Sequence, residues 1–224
     1  QGDIKAIWNI SRFEFLYDAI RYSRIDEALH SISDWIKENP TNCGPNWICS
    51  QEIGLRCLHW TYFIKSQLSH IPPAALQTIS DSIYSQAKHI NKHLFFSRWM
   101  VRNHHRLTEA VALYTIGVVF PYFNESEQWR IIGKRIFEEE IEFQLLPEGT
   151  YIQHSMNYHR VVVQLLSWMI ALTKSNQDTL SNTTYQRANA SVNVLLSCTC
   201  PITGQVPNYG PNDGALFFPF EKQS

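Results

Sequence analysis

What this sequence lacks removes several classes of protein at once. No apolar run approaches the roughly 20 residues that a bilayer-spanning helix needs. Lysine and arginine (19) nearly balance aspartate and glutamate (20), for a formal net charge of −1. That balance supplies neither a basic field for nucleic acid nor a polybasic membrane anchor. No Gly-rich phosphate loop, HExxH pair or GxSxG nucleophile elbow occurs. The five cysteines, Cys43, Cys49, Cys57, Cys198 and Cys200, form no CxxC and no zinc-ligand spacing. Buried or idle thiols are therefore expected, with one bridge from the 43–57 cluster to Cys198 or Cys200 left open. Cysteine usage does not fix the compartment. Strand signals are almost missing too, because apolar–polar alternation never persists.

What is present reads as helix nearly throughout. The 224 residues are 44% hydrophobic, enough for one sizeable core. "IKAIWNISRFEFLYDAIRYS" spaces Ile7, Ile10, Phe13, Leu16, Tyr17 and Ile20 three and four apart, a helix face. "DEALHSISDWIKENP" does the same with Ala28, Leu29, Ile32, Trp35 and Ile36, and stops before Pro40. A longer helix is predicted from Trp47 to Leu68. Another starts at Pro73, which suits a first turn, and reaches Phe95. Asn103 or Thr108 begins the next. Asn124 with Glu127 reads as a capping box for a helix through Phe143. "LPEGTY" is a turn with Gly149 free to take a positive φ. Helices over 156–172 and 184–197 follow, and the stretch from Cys200 to Phe218 is expected to be irregular. About eight helices on short loops imply antiparallel hairpins, all-α, in a bundle or an α/α toroid. Aromatics make up 13% of the residues and include seven tryptophans, most of them expected in the core.

Three polar constellations stand out from this background. The first is "NHHRLTE", in which His105 and Glu109 are four apart on one helix face while His104 points about 100° away. Its plain reading is an N-cap asparagine with solvent-facing histidines and a helix ion pair. The second is "EGTYIQHSMNYHR", which crowds Tyr151, Gln153, His154, Asn157, Tyr158, His159 and Arg160 into a loop leading to an apolar helix. Such a density of hydrogen-bonding groups is costly to bury and unnecessary for folding. The third, "VPNYGPNDGA", is ordinary turn chemistry in which Asp213 could orient a neighbour. His89 and His93 are at i, i+4, but no third ligand accompanies them.

Taken in order, "DIKAIWNISRFEFL", "NPTNCGPNWICSQEIGLRCLHW", "NHHRLTEAVALYTIGVVFP", "PEGTYIQHSMNYHR" and "VPNYGPNDGALFFP" resemble the helical domain of the heparinase II/III-like polysaccharide lyases. The resemblance covers most of the chain and implies an incomplete α/α toroid over residues 1–224, normally followed by a β-sandwich domain. The chain opens at Gln1 without Met or signal peptide and closes on "LFFPFEKQS". It is read as one domain of a longer protein, with no room for that sandwich after Phe220, so that the domain alone could bind sugar without turning it over.

The resemblance further implies cleavage of an acidic, uronic-acid-containing polysaccharide by β-elimination, in the periplasm or outside the cell. No cofactor and no metal are expected. Asn103 would neutralise the uronate carboxylate, with His104 assisting or acting as base. Tyr158, in the family's Tyr-His dipeptide with His159, would transfer the proton, as base or as acid. A phenol near its ordinary pKa of about 10 needs a cation or strong donor beside it to act as a base at neutrality, which His104, His159 or Arg160 could provide. Gln153 stands where many relatives carry glutamate. His105, Glu109, Gln153, Arg160, Asn46 and Trp47 are the expected substrate contacts, and Trp8, Arg12, Glu52 and Arg56 could line the cleft or serve the core. Two other classes fit the same pattern: a non-catalytic glycan-binding or scaffolding domain, and a hydrolase using two carboxylates such as Glu109 and Asp213. The scarcity of clustered Lys/Arg disfavours a highly sulfated substrate.

Overall fold

The computed structural model describes residues 2–212 and Leu216. Nine α-helices follow one another among them: α1 Ile4–Ser11, α2 Leu16–Arg21, α3 Ile25–Glu38, α4 Ser50–Gln67, α5 Pro73–Trp99, α6 His104–Val119, α7 Ser126–Gln144, α8 Met156–Ser175 and α9 Asn182–Ser197. The only β-pairing among the described residues is an isolated bridge between Leu145 and Tyr151. Side chains secure several helix starts. Asp3 accepts from the Lys5 amide, Asn103 from His105, Ser155 from Tyr158 and Ser181 from Thr184, each satisfying an otherwise orphaned N–H. Pro73 opens α5 as expected.

Two expectations about helix ends are corrected. The first apolar face is broken in two, because Phe13 takes a left-handed conformation at φ 65°. The turn drives its ring inward against Trp35 and Trp60, edge to face; burying that aromatic outweighs the backbone strain. The capping box at Asn124 does not form. Helix α7 begins two residues later, its N-cap residue Glu125 makes no side-chain cap, and Glu127 pairs with Arg130 at 2.7 Å. Gly149 does turn through a positive φ, at 94°.

The helices are antiparallel hairpins arranged as an incomplete α/α toroid. Two of them, α4 and α6, are buried on nearly every side, as expected of inner helices. Helix α6 packs against α4, α5, α7 and α8, and α9 closes on α7 and α8. Its approach to α7 is close: a Cβ at Gly133 would sit 2.6 Å from the Ala110 carbonyl oxygen and the Tyr114 amide nitrogen. Only glycine permits that spacing. The core runs from Phe13 and Trp60 through Ile90 and Tyr114 to Phe137 and Met169. Every cysteine is a free thiol, so no bridge joins the 43–57 cluster to Cys198 or Cys200. No described helix is long and apolar enough to cross a membrane.

Candidate functional site

The first turns of α6 and α8 meet, and with them the first two polar constellations. His104 is buried, and its ring stacks on Tyr158 with centroids 4.2 Å apart and planes 26° from parallel. His105 sits edge-on to His104 at 4.8 Å. Asn103 caps α6 through its Oδ1, which accepts from the His105 amide at 2.9 Å. The solvent-facing histidines of the plain reading thus give way to a buried one and a half-buried one, while the cap itself is present.

A hydrogen-bond network fixes His104 from behind. Its Nδ1 lies 2.9 Å from Gln153 Oε1, an acceptor that holds the proton on Nδ1. Its backbone amide donates to the Tyr151 hydroxyl at 2.9 Å, and that hydroxyl donates in turn toward Gln153 or Gln144. Burial raises the Tyr151 pKa, so it stays a neutral phenol. Gln144 Nε2 donates to the Asn103 carbonyl at 3.0 Å and to Glu140 at 2.9 Å. Glu140 also accepts from Arg102 and Arg106, each at 3.0 Å. One chain of polar groups therefore runs from a buried ion cluster to the imidazole.

Other predicted residues fall elsewhere. His159 turns into the protein, away from a catalytic position: its Nε2 is 2.6 Å from Ser191 Oγ on α9, and burial lowers its pKa to about 4, leaving it neutral. Arg160 faces a separate cavity of about 520 Å³ with Asn157, Gln205 and Asn208, and bonds Asn157 Oδ1 at 2.6 Å. The 205–212 segment lies over the start of α8. The Tyr209 carbonyl accepts from the Met156 amide, the Pro211 carbonyl accepts from Ser155, and a Cβ on Gly210 would come within 2.8 Å of His154 O. Asp213 lies outside the described residues.

Asn46 and Trp47 are core residues instead of cleft-lining ones. Both are buried, with the Asn46 amide on Asn39 and the Trp47 ring against His89. The same is true of Arg12, bidentate to Glu52 at 2.6 and 2.8 Å, and of Arg56, whose guanidinium lies 4.1 Å over Trp35. The indole of Trp8 donates to the Pro45 carbonyl. The His89 and His93 rings lie 4.1 Å apart, tilted by 32°. Their Nδ1 atoms bond Asn42 and the His89 carbonyl, and no group of three metal-binding side chains occurs among the described residues.

Glu109 does lie near the site. It is 3% exposed, lines a cavity with His105, and burial pushes its carboxyl up to about 8. Glu140, Gln144 and Ser191 were missed by sequence reasoning. The first two sit in "FEEEIEFQ", a run indistinguishable from a solvated helix face, and a lone serine on α9 carries no signal at all.

Geometry of this kind defines a helical toroid with a polar site at the mouth of its inner helix. The profile of the family described as Heparinase II/III N-terminus matches residues 17–213, and the chain belongs to that family. It is 28% identical over 160 residues to a heparin-sulfate lyase of Bacteroides thetaiotaomicron, covering 68% of this chain and 22% of that protein. To the heparin-sulfate lyase of Pedobacter heparinus it is 26% identical over 153 residues, covering 65% and 22%. The chain thus spans about a fifth of the length of the curated relatives it matches. The crystal structure of heparinase III superposes with a TM-score of 0.75 at 19% identity, over 86% of this chain and 31% of that one. A heparan sulfate lyase structure from Pedobacter heparinus superposes at 0.68 and 21% identity, over 92% and 34%. These superpositions carry the fold.

Proposed function

We propose that the protein is a polysaccharide lyase that cleaves an acidic, uronic-acid-containing glycan by β-elimination, with Asn103, His104 and Tyr158 at the reacting sugar. The observation that carries this reading is the stack of His104 on Tyr158 beside the capping Asn103. Kinship with the heparin-sulfate lyases supports the substrate class. The reaction removes the C5 proton of the uronate, breaks the bond from C4 to the linking oxygen, forms the C4–C5 double bond and protonates the departing oxygen. Asn103 has its Oδ1 held by the helix, so its amide N–H groups are the ones turned to the uronate carboxylate. There they stabilise the charge that develops when C5 is deprotonated. Tyr158 transfers the proton, and His104, held through Nδ1 by Gln153, lies face-on against its ring. His159 takes a positioning role by anchoring α8 to α9.

The substrate is an acidic polysaccharide met outside the cytoplasm, in the periplasm or after secretion. A β-sandwich domain of the same polypeptide covers the cleft and supplies the further acid–base group.

The test is absorbance at ~232 nm, the signature of the unsaturated uronate that acid–base elimination produces. Full-length protein incubated with a panel of uronate polysaccharides should show a rise. Tyr158→Phe should reduce the rate at least about a thousandfold while leaving the fold and sugar binding in place. Reducing ends released without the absorbance would mean hydrolysis. No product from any polymer, with binding retained, would mean a scaffold. A Tyr158→Phe variant of normal rate would remove the tyrosine from the mechanism.

A further inference from the structure

The outer face of α5 carries a stripe that the fold leaves uncovered. Lys88, Lys92, Phe95 and Trp99 follow one another at four-, three- and four-residue intervals, which puts them on one side of the helix. All four are exposed, Phe95 at 74% and Trp99 at 64%. The two rings lie 6.2 Å apart, tilted by 50°. Phe96 and Met100, also exposed, adjoin them, so the apolar end is a contiguous patch and not a scattered residue. At the rise of an α-helix the stripe is about 16 Å long, enough to lie along several sugar rings.

The charge along it is of one sign. Residues 82–108 contain no aspartate or glutamate. Among the described residues neither Lys88 nor Lys92 is held in an ion pair; Lys88 Nζ rests 5.4 Å over the Tyr84 ring. Arg98 lies 5.3 Å over Trp99 and adds a third cation beside the aromatic end. Both lysines line a groove of about 760 Å³ between α5, the 41–42 turn and the start of α7. The carboxylate on that groove, Glu125, accepts from the Tyr84 hydroxyl at 2.8 Å. His89 is not a further cation, because burial, then His93, Lys92 and Arg56, lower its pKa to about 4. His93 lines this groove and also the cavity that holds His105, and His105 touches His104. One surface path therefore joins the stripe to the reacting residues.

A solvated helix face explains exposed lysines, but not bare aromatics in line with them. A strand of acidic sugars explains both. Ammonium groups attract the anionic groups spaced along such a strand, and a flat aromatic face packs on the C–H surface of a sugar ring. We propose that the α5 stripe is an anchoring surface for the acidic polysaccharide, outside the catalytic cleft. Lys88, Lys92, Phe95 and Trp99 hold one stretch of the polymer while another stretch of the same strand is cleaved. The assignment rests on the lyase reading above for the identity of the polymer. A second foothold raises the effective concentration of cleavable bonds at the site without touching the reacting sugar. It serves long chains and is idle for fragments too short to reach it.

The test uses full-length protein, a uronate polysaccharide and a tetrasaccharide cut from it. Lys88→Glu with Lys92→Glu changes two exposed side chains, so the fold tolerates it. It should raise KM for the polymer at least about tenfold and leave kcat, and kcat/KM for the tetrasaccharide, within about twofold of wild type. Trp99→Ala should raise the polymer KM about three- to fivefold. Moving from about 0.01 to about 0.15 M ionic strength should erase most of the wild-type preference for polymer and barely move the double variant. Unchanged kinetics on the polymer, or an equal loss on the tetrasaccharide, overturns the proposal. If no polymer yields absorbance, the lyase reading falls, and the surface is judged by electrophoresis through a gel holding the polymer. Retardation of wild type but not of the double variant upholds it; equal retardation or none overturns it. A Trp99→Ala protein that melts several degrees lower and still binds polymer normally would show that the rest of the chain covers this face, and that too overturns it.

Discussion

Two carboxylates lie inside this molecule within a few turns of each other's helices, and they are treated in opposite ways. Glu140 on α7 is 1% exposed and fully surrounded: Arg102, Arg106 and Gln144 between them donate to both of its oxygens. Glu109 on α6 is equally hidden, but one of its oxygens has no partner and its carboxyl is shifted up to about 8. The difference is in the company each keeps. A buried carboxylate ringed by guanidinium groups is a structural clamp held at both oxygens. One left short of partners holds its proton, and such groups gather at sites where chemistry or recognition happens. Burial alone would have put both in one class.

The comparison can be broken from either end. Glu140→Ala should be the most damaging, at about 3–5 kcal/mol, because it strands the buried Arg106 charge and cuts Gln144 loose from the network behind His104. Chemical denaturation would show it, and a loss under about 1 kcal/mol would mean that the cluster is not a clamp. Glu109→Gln should act in the opposite direction. The carboxyl titrates near 8 in the folded chain and at 4.5 ordinarily, so the folded state holds the extra proton between those values. Wild-type stability therefore falls as pH climbs through that window. The amide removes the slope, and at pH 9 the variant should be more stable by an amount on the order of 5 kcal/mol. Parallel pH–stability curves for the two proteins would show that Glu109 ionises normally. The smallest effect is expected at Ser191→Ala, which takes the partner from His159 and should cost about 1 kcal/mol.

Much of the fold was legible because it rests on periodicity and punctuation. Pro73, Asn103 and Gly149 each act locally, and each does in the structure what its residue type dictates. The failures have a common cause. Phe13 and Asn124 sit where local preference conflicts with burial of an aromatic or with the geometry of a neighbouring turn, which no window of sequence contains. At the site, the first two motifs lie on the first turns of α6 and α8, and His104 and Tyr158 come together. Which ring nitrogen bears the proton, and that His159 faces inward while Tyr158 does not, depend on Gln153 and Ser191. Those partners belong to other segments, and their roles appear only when the chain has folded. Asn46 and Trp47 show the reverse error: polar and aromatic residues in a suggestive block that the core uses for itself.

Helix α6 packs against helices that both precede and follow it in the chain, and its buried histidine is completed by Tyr151, Gln153 and Tyr158. Synthesis runs from the N-terminus, so a nascent chain exposed only through α7 holds a capped α6 whose imidazole still lacks its ring partner and its amide. The site assembles late, in the step that docks α8. A ribosome stalled between those two points would display the toroid's inner wall without the residues that close over His104, an apolar surface open to chaperones.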